Sequence, residues 1–135
     1  LEVVDDPAVT LREIARVLRS GGQASIATAN RAGAVLARAV AGHPVEALAL
    51  VEDRDPAPGR AKPARRRFTP DDLLSLVEGA GLRPGTWRGV SVVADLLEAA
   101  SGADPQAVRA LEVALAEASP YRDIATGLHV LATRA

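Results

Sequence analysis

The sequence predicts a layered α/β fold on three observations. Gln23–Ala29, 86–93 (TWRGVSVV) and Gly127–Arg134 are runs of small and β-branched residues that read as strands. Amphipathic stretches at helical spacing lie between them. Asp-Pro or Thr-Pro pairs open several of those stretches, as N-cap and first helical residue. Helices set between strands imply a sheet with flanking helices rather than a bundle.

Asp6 and Pro7 start the first helix, and Leu11, Ile14, Ala15 and Leu18 recur at i, i+3, i+4 and i+7, which predicts a helix over 7–19 closed by left-handed backbone at Gly21 and Gly22. Gln23–Ala29 lacks strict alternation and predicts a strand covered on both faces. Helical spacing returns from Arg31 to about Val51, and Gly42 and Pro44 split it near His43. Residues 52–67 contain Pro56, Pro58, Gly59 and Pro63, with six Lys or Arg against three acids, which predicts a flexible basic loop. Thr69, Pro70, Asp71 and Asp72 start a helix that buries Leu73, Leu74, Leu76 and Val77 and stops at Gly79 and Gly81. The second strand, 86–93, points Val90 and Val92 to one face, with Gly89 marking a bulge. Asp104 and Pro105 open a helix that ends near Ala118, and Gly127–Arg134 alternates as a closing strand.

With 135 residues and 48% hydrophobic content, the chain suits one domain with a sizeable core. Aromatic residues are only 2%, so Ala, Val, Leu and Ile must fill that core. The net charge of −1 argues against holding nucleic acid by bulk charge and leaves a local basic patch open. With no cysteine, disulfides, thiolate metal sites and thiol nucleophiles are excluded. No apolar run approaches a membrane span and no signal-peptide pattern is present, so a soluble, cytoplasmic protein is expected. Methionine is absent even at position 1, and three strands are few for an α/β sheet; both lead us to expect a piece of a longer domain.

Complete catalytic signatures are missing: there is no G-x-G-x-x-G, P-loop or H-E-x-x-H. His43 and His129 have no carboxylate at ligand spacing, so no metal site is expected. Ser25 and Ser91 have neither a strand-turn-helix elbow nor a histidine nearby in sequence, which counts against serine hydrolysis. Asn30 ends a strand, where an amide can hold a ligand's polar edge, and it equally suits the N-cap of the helix at Arg31. Arg65, Arg66 and Arg67, beside Phe68, read either as solvated loop or as contacts to phosphate. Tyr121 either packs on Pro120 or stacks on a base, and His129 suits a strand residue half-covered by a helix.

The stretches LEVVDDPAVTLREIARVLRSGG, IATANRAGAVLARAVAGH, FTPDDLLSLVEGAGL and GVSVVADLL together resemble the C-terminal half of class I S-adenosylmethionine-dependent methyltransferases. Asn30, Gly33, Asp95, Leu96, Pro120, Tyr121, His129 and Val130 match positions of the tRNA 5-carboxymethoxyuridine methyltransferases, over nearly the whole chain. The resemblance implies the C-terminal part of a Rossmann-like fold with a small mixed sheet. Gln23–Ala29, 86–93 and Gly127–Arg134 become strands five, six and seven, the last lying antiparallel between the other two. It implies S-adenosyl-L-methionine as cofactor of the intact enzyme, with the main cofactor-binding half outside this chain and only Leu1 and Glu2 near the cofactor. Candidate acceptor-binding residues are Asn30, Arg31, Asp95, Tyr121, Arg122 and His129, and Arg65, Arg66 and Arg67 are candidate phosphate contacts. The implied acceptor is a carboxylate on a modified wobble uridine of tRNA, which is already ionised at neutral pH and needs no general base. Ser91 stands where the family carries arginine, which favours the alternative of a small-molecule methyl acceptor on the same scaffold. A non-catalytic interaction domain, paired through the edge of the first strand as a homodimer or with a missing N-terminal half, is the other alternative.

Overall fold

A computed structural model of the chain describes residues 1–52, 65–97 and 102–135. Apart from α3, its α-helices begin where side chains can accept from first-turn N–H groups that have no partner within the helix. Asp6 accepts from the Val9 N–H at 3.0 Å to open α1 (Pro7–Val17). Asn30 opens α2 (Arg31–Val40), and α3 (Pro44–Val51) follows a break at His43, as predicted. Thr69 and Asp72 form a reciprocal capping box at the start of α4 (Pro70–Gly79), and hydrogen bonds from the Thr69 hydroxyl and N–H hold the Asp72 carboxyl below its ordinary pKa. Asp104 caps α5 (Pro105–Leu115) through the Gln106 and Ala107 N–H groups.

The strands are β1 (Gln23–Ala29), β2 (Leu82–Pro84), β3 (Arg88–Val90) and β4 (Gly127–Arg134). β4 is central. It pairs with β1 from Gln23↔Thr133 to Ala29↔Gly127, and on its other edge with β2 and β3. Every ladder is antiparallel, so the last strand lies between the earlier ones as predicted. The only parallel pairing among the described residues is an isolated bridge between Asn30 and Phe68, which corrects the expectation of a mixed sheet.

Four local expectations are also revised. α1 stops at Val17 because Leu18 turns extended; Gly21 (φ +73°) is left-handed but serves the following turn, and Gly22 is not left-handed. That turn is tied to the end of β4, where the Gly21 N–H donates to the Arg134 carbonyl and the Arg134 guanidinium donates to the carbonyls of Arg16 and Leu18. β1 alternates in burial, with Ala24, Ile26 and Thr28 inward and Gln23, Ser25 and Ala27 exposed, so only one of its faces is covered. The predicted strand over 86–93 shrinks to Arg88–Val90, because Ser91 adopts φ 55° and the chain then coils into the 3₁₀ turn Ala94–Leu96. Of the expected basic loop over 52–67, residues 53–64 lie outside the described residues.

The departure at Ser91 has a further cause. The carboxylate of Glu112, on α5, accepts from the N–H groups of Val92 (2.8 Å), Val93 (2.8 Å) and Ala94 (2.7 Å), taking from the ladder the donors a longer strand would need. Charge-assisted bonds of this kind are stronger than neutral ones. Glu112→Ala is expected to cost about 2 kcal/mol and to speed amide exchange at Val92, Val93 and Ala94, while Leu128 and Val130 remain protected.

The core lies between the sheet and the pair α1 and α4. Leu11, Leu73, Val77, Leu128 and Val130 meet there, all fully or almost fully buried. Each contributes roughly 1.5–3 kcal/mol by leaving water. No described helix is long and apolar enough to cross a membrane.

Candidate functional site

At the carboxyl end of β1 the chain folds back on itself. The Arg66 N–H donates to the Glu2 carbonyl and the Phe68 N–H to the Ala29 carbonyl, each at 3.0 Å. One Glu2 oxygen accepts from the Ala29 N–H at 2.7 Å and the other lies 3.2 Å from the Arg65 guanidinium. Here the ends of β1 and β3 and the start of β4 border an open cavity of about 310 Å³, lined by Glu2, Thr28, Arg65, Val90, Thr126 and Leu128 among others. That volume is at the small end of ligand cavities, about 300–1,000 Å³.

Two features give the cavity chemical character. Thr28 is only 4% exposed, and its hydroxyl has no hydrogen-bond partner. Leaving such a group unsatisfied costs about 1–3 kcal/mol, so it marks a place where the fold is not optimised for stability alone. The Thr126 hydroxyl donates to Asp95 at 2.6 Å, which draws the Ala94–Leu96 turn to the rim.

A second cavity, of about 600 Å³, lies between α1, α4 and the start of α2. Arg12, Arg31, Arg66 and Arg67 reach it, with Asp72 also in its wall. Burial, and then the charge of Arg38, lower the pKa of Arg67.

The candidate residues therefore separate into several groups. Arg65 lines the smaller cavity, with Glu2 bound between Ala29 and Arg65, while Asp95 does not line it and joins it only through Thr126. Arg31, Arg66 and Arg67 belong to the larger cavity. Leu1 is partly buried and packs against the core. Tyr121 is half-exposed on the 3₁₀ turn Tyr121–Ile124, and Arg122 beside it stacks on Trp87 at 4.1 Å while donating to the Trp87 carbonyl at 3.1 Å.

Asn30 sits behind these groups. It is fully buried; Nδ2 donates to the carbonyls of Asp123 (2.9 Å) and Ala125 (2.8 Å), and Oδ1 accepts from the Ala32 N–H (3.2 Å). Both amide protons are thus spent inside the protein, and the side chain caps α2 instead of reaching a ligand. Gly33, one turn further on, packs directly on the Ala125–Thr126 backbone.

His129 lies on the exposed face of the sheet, 2.8 Å from the Ser25 hydroxyl. Ser25 therefore has a histidine partner in space although none is near it in sequence. Their separation of 104 positions hides the pair, which only the β1–β4 register brings together. Neither residue lines either of the two cavities. Thr28 and Thr126 were also missed in sequence, where they are merely strand residues and nothing signals an unpaired hydroxyl. No cluster of three or more metal-ligating side chains occurs among the described residues.

No protein-family model matches the chain, and no curated protein matches it.

Proposed function

We propose that this chain forms the C-terminal part of an S-adenosyl-L-methionine-dependent methyltransferase with a Rossmann-like fold, and that the methyl acceptor enters the cavity beside Thr28. The observation that carries this reading is the reversed last strand. β4 runs antiparallel between β1 and the β2–β3 edge, the arrangement that the reading of β1, β3 and β4 as strands five, six and seven requires. The outer edge of β1 supports it as well: among the described residues the Phe68 bridge at Asn30 and the Glu2 carboxylate at Ala29 meet that edge only at its carboxyl end, leaving room for a preceding strand. Ligands of such sheets bind outside the carboxyl ends of the strands, where this cavity lies.

In this reading the chain builds the acceptor side. Arg65 and the Thr28 hydroxyl offer donors to an anionic oxygen, while Val90 and Leu128 supply an apolar wall. A carboxylate acceptor needs only orientation and exclusion of water, which agrees with a cavity that holds no acid–base pair. S-adenosyl-L-methionine is the methyl source in this proposal. The described residues do not cradle it by themselves, since Leu1 packs, partly buried, against the core and the Glu2 carboxylate is taken up by Ala29 and Arg65.

The test is methyl transfer by the complete protein that contains this chain, offered tRNA bearing 5-carboxymethoxyuridine in one arm and small carboxylic acids in the other. Thr28→Val, which keeps the shape and removes the orphaned hydroxyl, is expected to lower transfer about tenfold, the worth of one hydrogen bond to a charged group, while raising thermal stability. Transfer to neither acceptor overturns the reading. Ser91, in place of the arginine of the resembling family, favours the small-acid arm as the second acceptor class.

A further inference from the structure

We infer that the cavity at the carboxyl end of β1 selects a small carboxylic acid that carries a hydrogen-bond donor, a hydroxyl or an ammonium, on its second carbon, and that Thr126, oriented by Asp95, reads that donor. The inference rests on the acceptor placement proposed above and names the chemical class of the acceptor. It follows from how the polar groups of the cavity wall divide into donors and acceptors.

Thr126 lines the cavity as an acceptor. Its hydroxyl has one proton, which it gives to the Asp95 carboxylate at 2.6 Å, the short distance of a charge-assisted bond. The Ser91 carbonyl, 3.5 Å from the same oxygen, is too far to compete for that proton. Asp95 is itself held in place, because the turn Ala94–Leu96 that carries it is tied to Glu112 through the Ala94 N–H at 2.7 Å. Thr126 therefore offers the cavity lone pairs only, which accept from a donor and repel a second acceptor.

Thr28 and Arg65 supply the complementary groups. The Thr28 hydroxyl is buried in the cavity wall with no partner, and Arg65 meets Glu2 through Nε at 3.2 Å, which leaves the forked end of its guanidinium for an anionic oxygen. Glu2 balances the charge of Arg65, so the placement of hydrogen-bonding groups, not bulk charge, selects the ligand. Thr28 faces Leu128 in the β1–β4 register, and the Asn30 N–H extends the ladder to the Thr126 carbonyl. Thr28 and Thr126 are thus diagonal neighbours, about 7–8 Å apart at their Cα atoms, and a ligand of a few heavy atoms fits between them. Its carboxylate accepts from Thr28 and Arg65 while the group on its second carbon donates to Thr126.

The experiment is isothermal titration calorimetry of the purified protein, without methyl donor, against lactate, alanine, propionate and pyruvate. The tighter of lactate and alanine identifies the donor as hydroxyl or ammonium, and it is expected to bind about tenfold better than propionate, which leaves Thr126 unpaired. Pyruvate, whose carbonyl oxygen meets the same lone pairs, is expected to bind no better than propionate. Thr126→Val is expected to erase the lead over propionate and Thr126→Ser to keep it. Asp95→Ala frees the Thr126 proton and is expected to cut the lead over pyruvate by about threefold or more, a change of preference that a purely structural role of Asp95 would not produce. Should Thr126→Val unfold, the Asp95→Ala comparison is decisive by itself. Equal binding of all four acids, binding of none, or a preference that survives Thr126→Val overturns the inference. Selective binding by a protein that transfers no methyl group leaves this site standing while the methyltransferase reading fails. Methyl transfer to carboxylic acids with no preference among the four does the reverse.

Discussion

Gly33→Ala is expected to lower the stability of the protein by about 3 kcal/mol and its thermal midpoint by roughly 10 °C. A Cβ at this position would lie 2.1 Å from the Ala125 carbonyl oxygen and 2.6 Å from the Thr126 Cα. Both are backbone atoms, so neither can rotate aside. α2 would have to withdraw from the segment leading into β4, taking Asn30 and its hydrogen bonds with it. Gly79→Ala is the matching control, because a Cβ there meets nothing within 4 Å and Gly79 ends a helix. That change is expected to be neutral or stabilising by up to about 1 kcal/mol. Thermal unfolding followed by circular dichroism compares the two, and a Gly33→Ala midpoint equal to that of the parent protein would show that α2 does not seat on this backbone.

Asn30→Asp is expected to destabilise by about 3 kcal/mol at neutral pH and markedly less in acid. The new carboxyl still accepts from the Ala32 N–H, so the helix cap survives. The loss is on the other side, where one nitrogen donating two protons is replaced by one oxygen facing the carbonyls of Asp123 and Ala125. Burial and these dipoles disfavour the charged form and raise the carboxyl pKa in the folded state above its unfolded value of about 3.9. The folded variant then holds its proton more tightly than the unfolded chain does. Its deficit is smallest below about pH 4 and grows as pH rises through the folded pKa. Urea midpoints of variant and parent protein, measured from pH 4 to 7, are expected to diverge with rising pH; a constant gap would refute the buried geometry assigned to Asn30.

Much of the helical layout was legible in sequence because caps are local. Asp6, Thr69 and Asp104 each satisfy N–H groups two or three residues away, so residue type and position suffice to place a helix start. β1 and β4 were legible as segments for the same reason. The second strand was not, because Glu112 takes its N–H groups from about 20 positions away. The candidate site was legible only in part. Arg65, Arg66 and Arg67 were visible as a run, but their division between two cavities follows from the way the Glu2 segment and Phe68 clamp the end of β1.

By itself the sequence determined the helix starts, the break at His43, the apolar stripes and the two long strands, since each depends on contacts within a few residues. Only the tertiary structure decided that Asn30 is a buried staple, that Thr28 carries an unpaired hydroxyl, that Ser25 meets His129 and that Gly33 has no space for a side chain. The Asn30, Ser25 and Gly33 contacts join segments about 90 to 104 positions apart, and no local preference encodes which of two distant groups will face the other once a sheet has set its register.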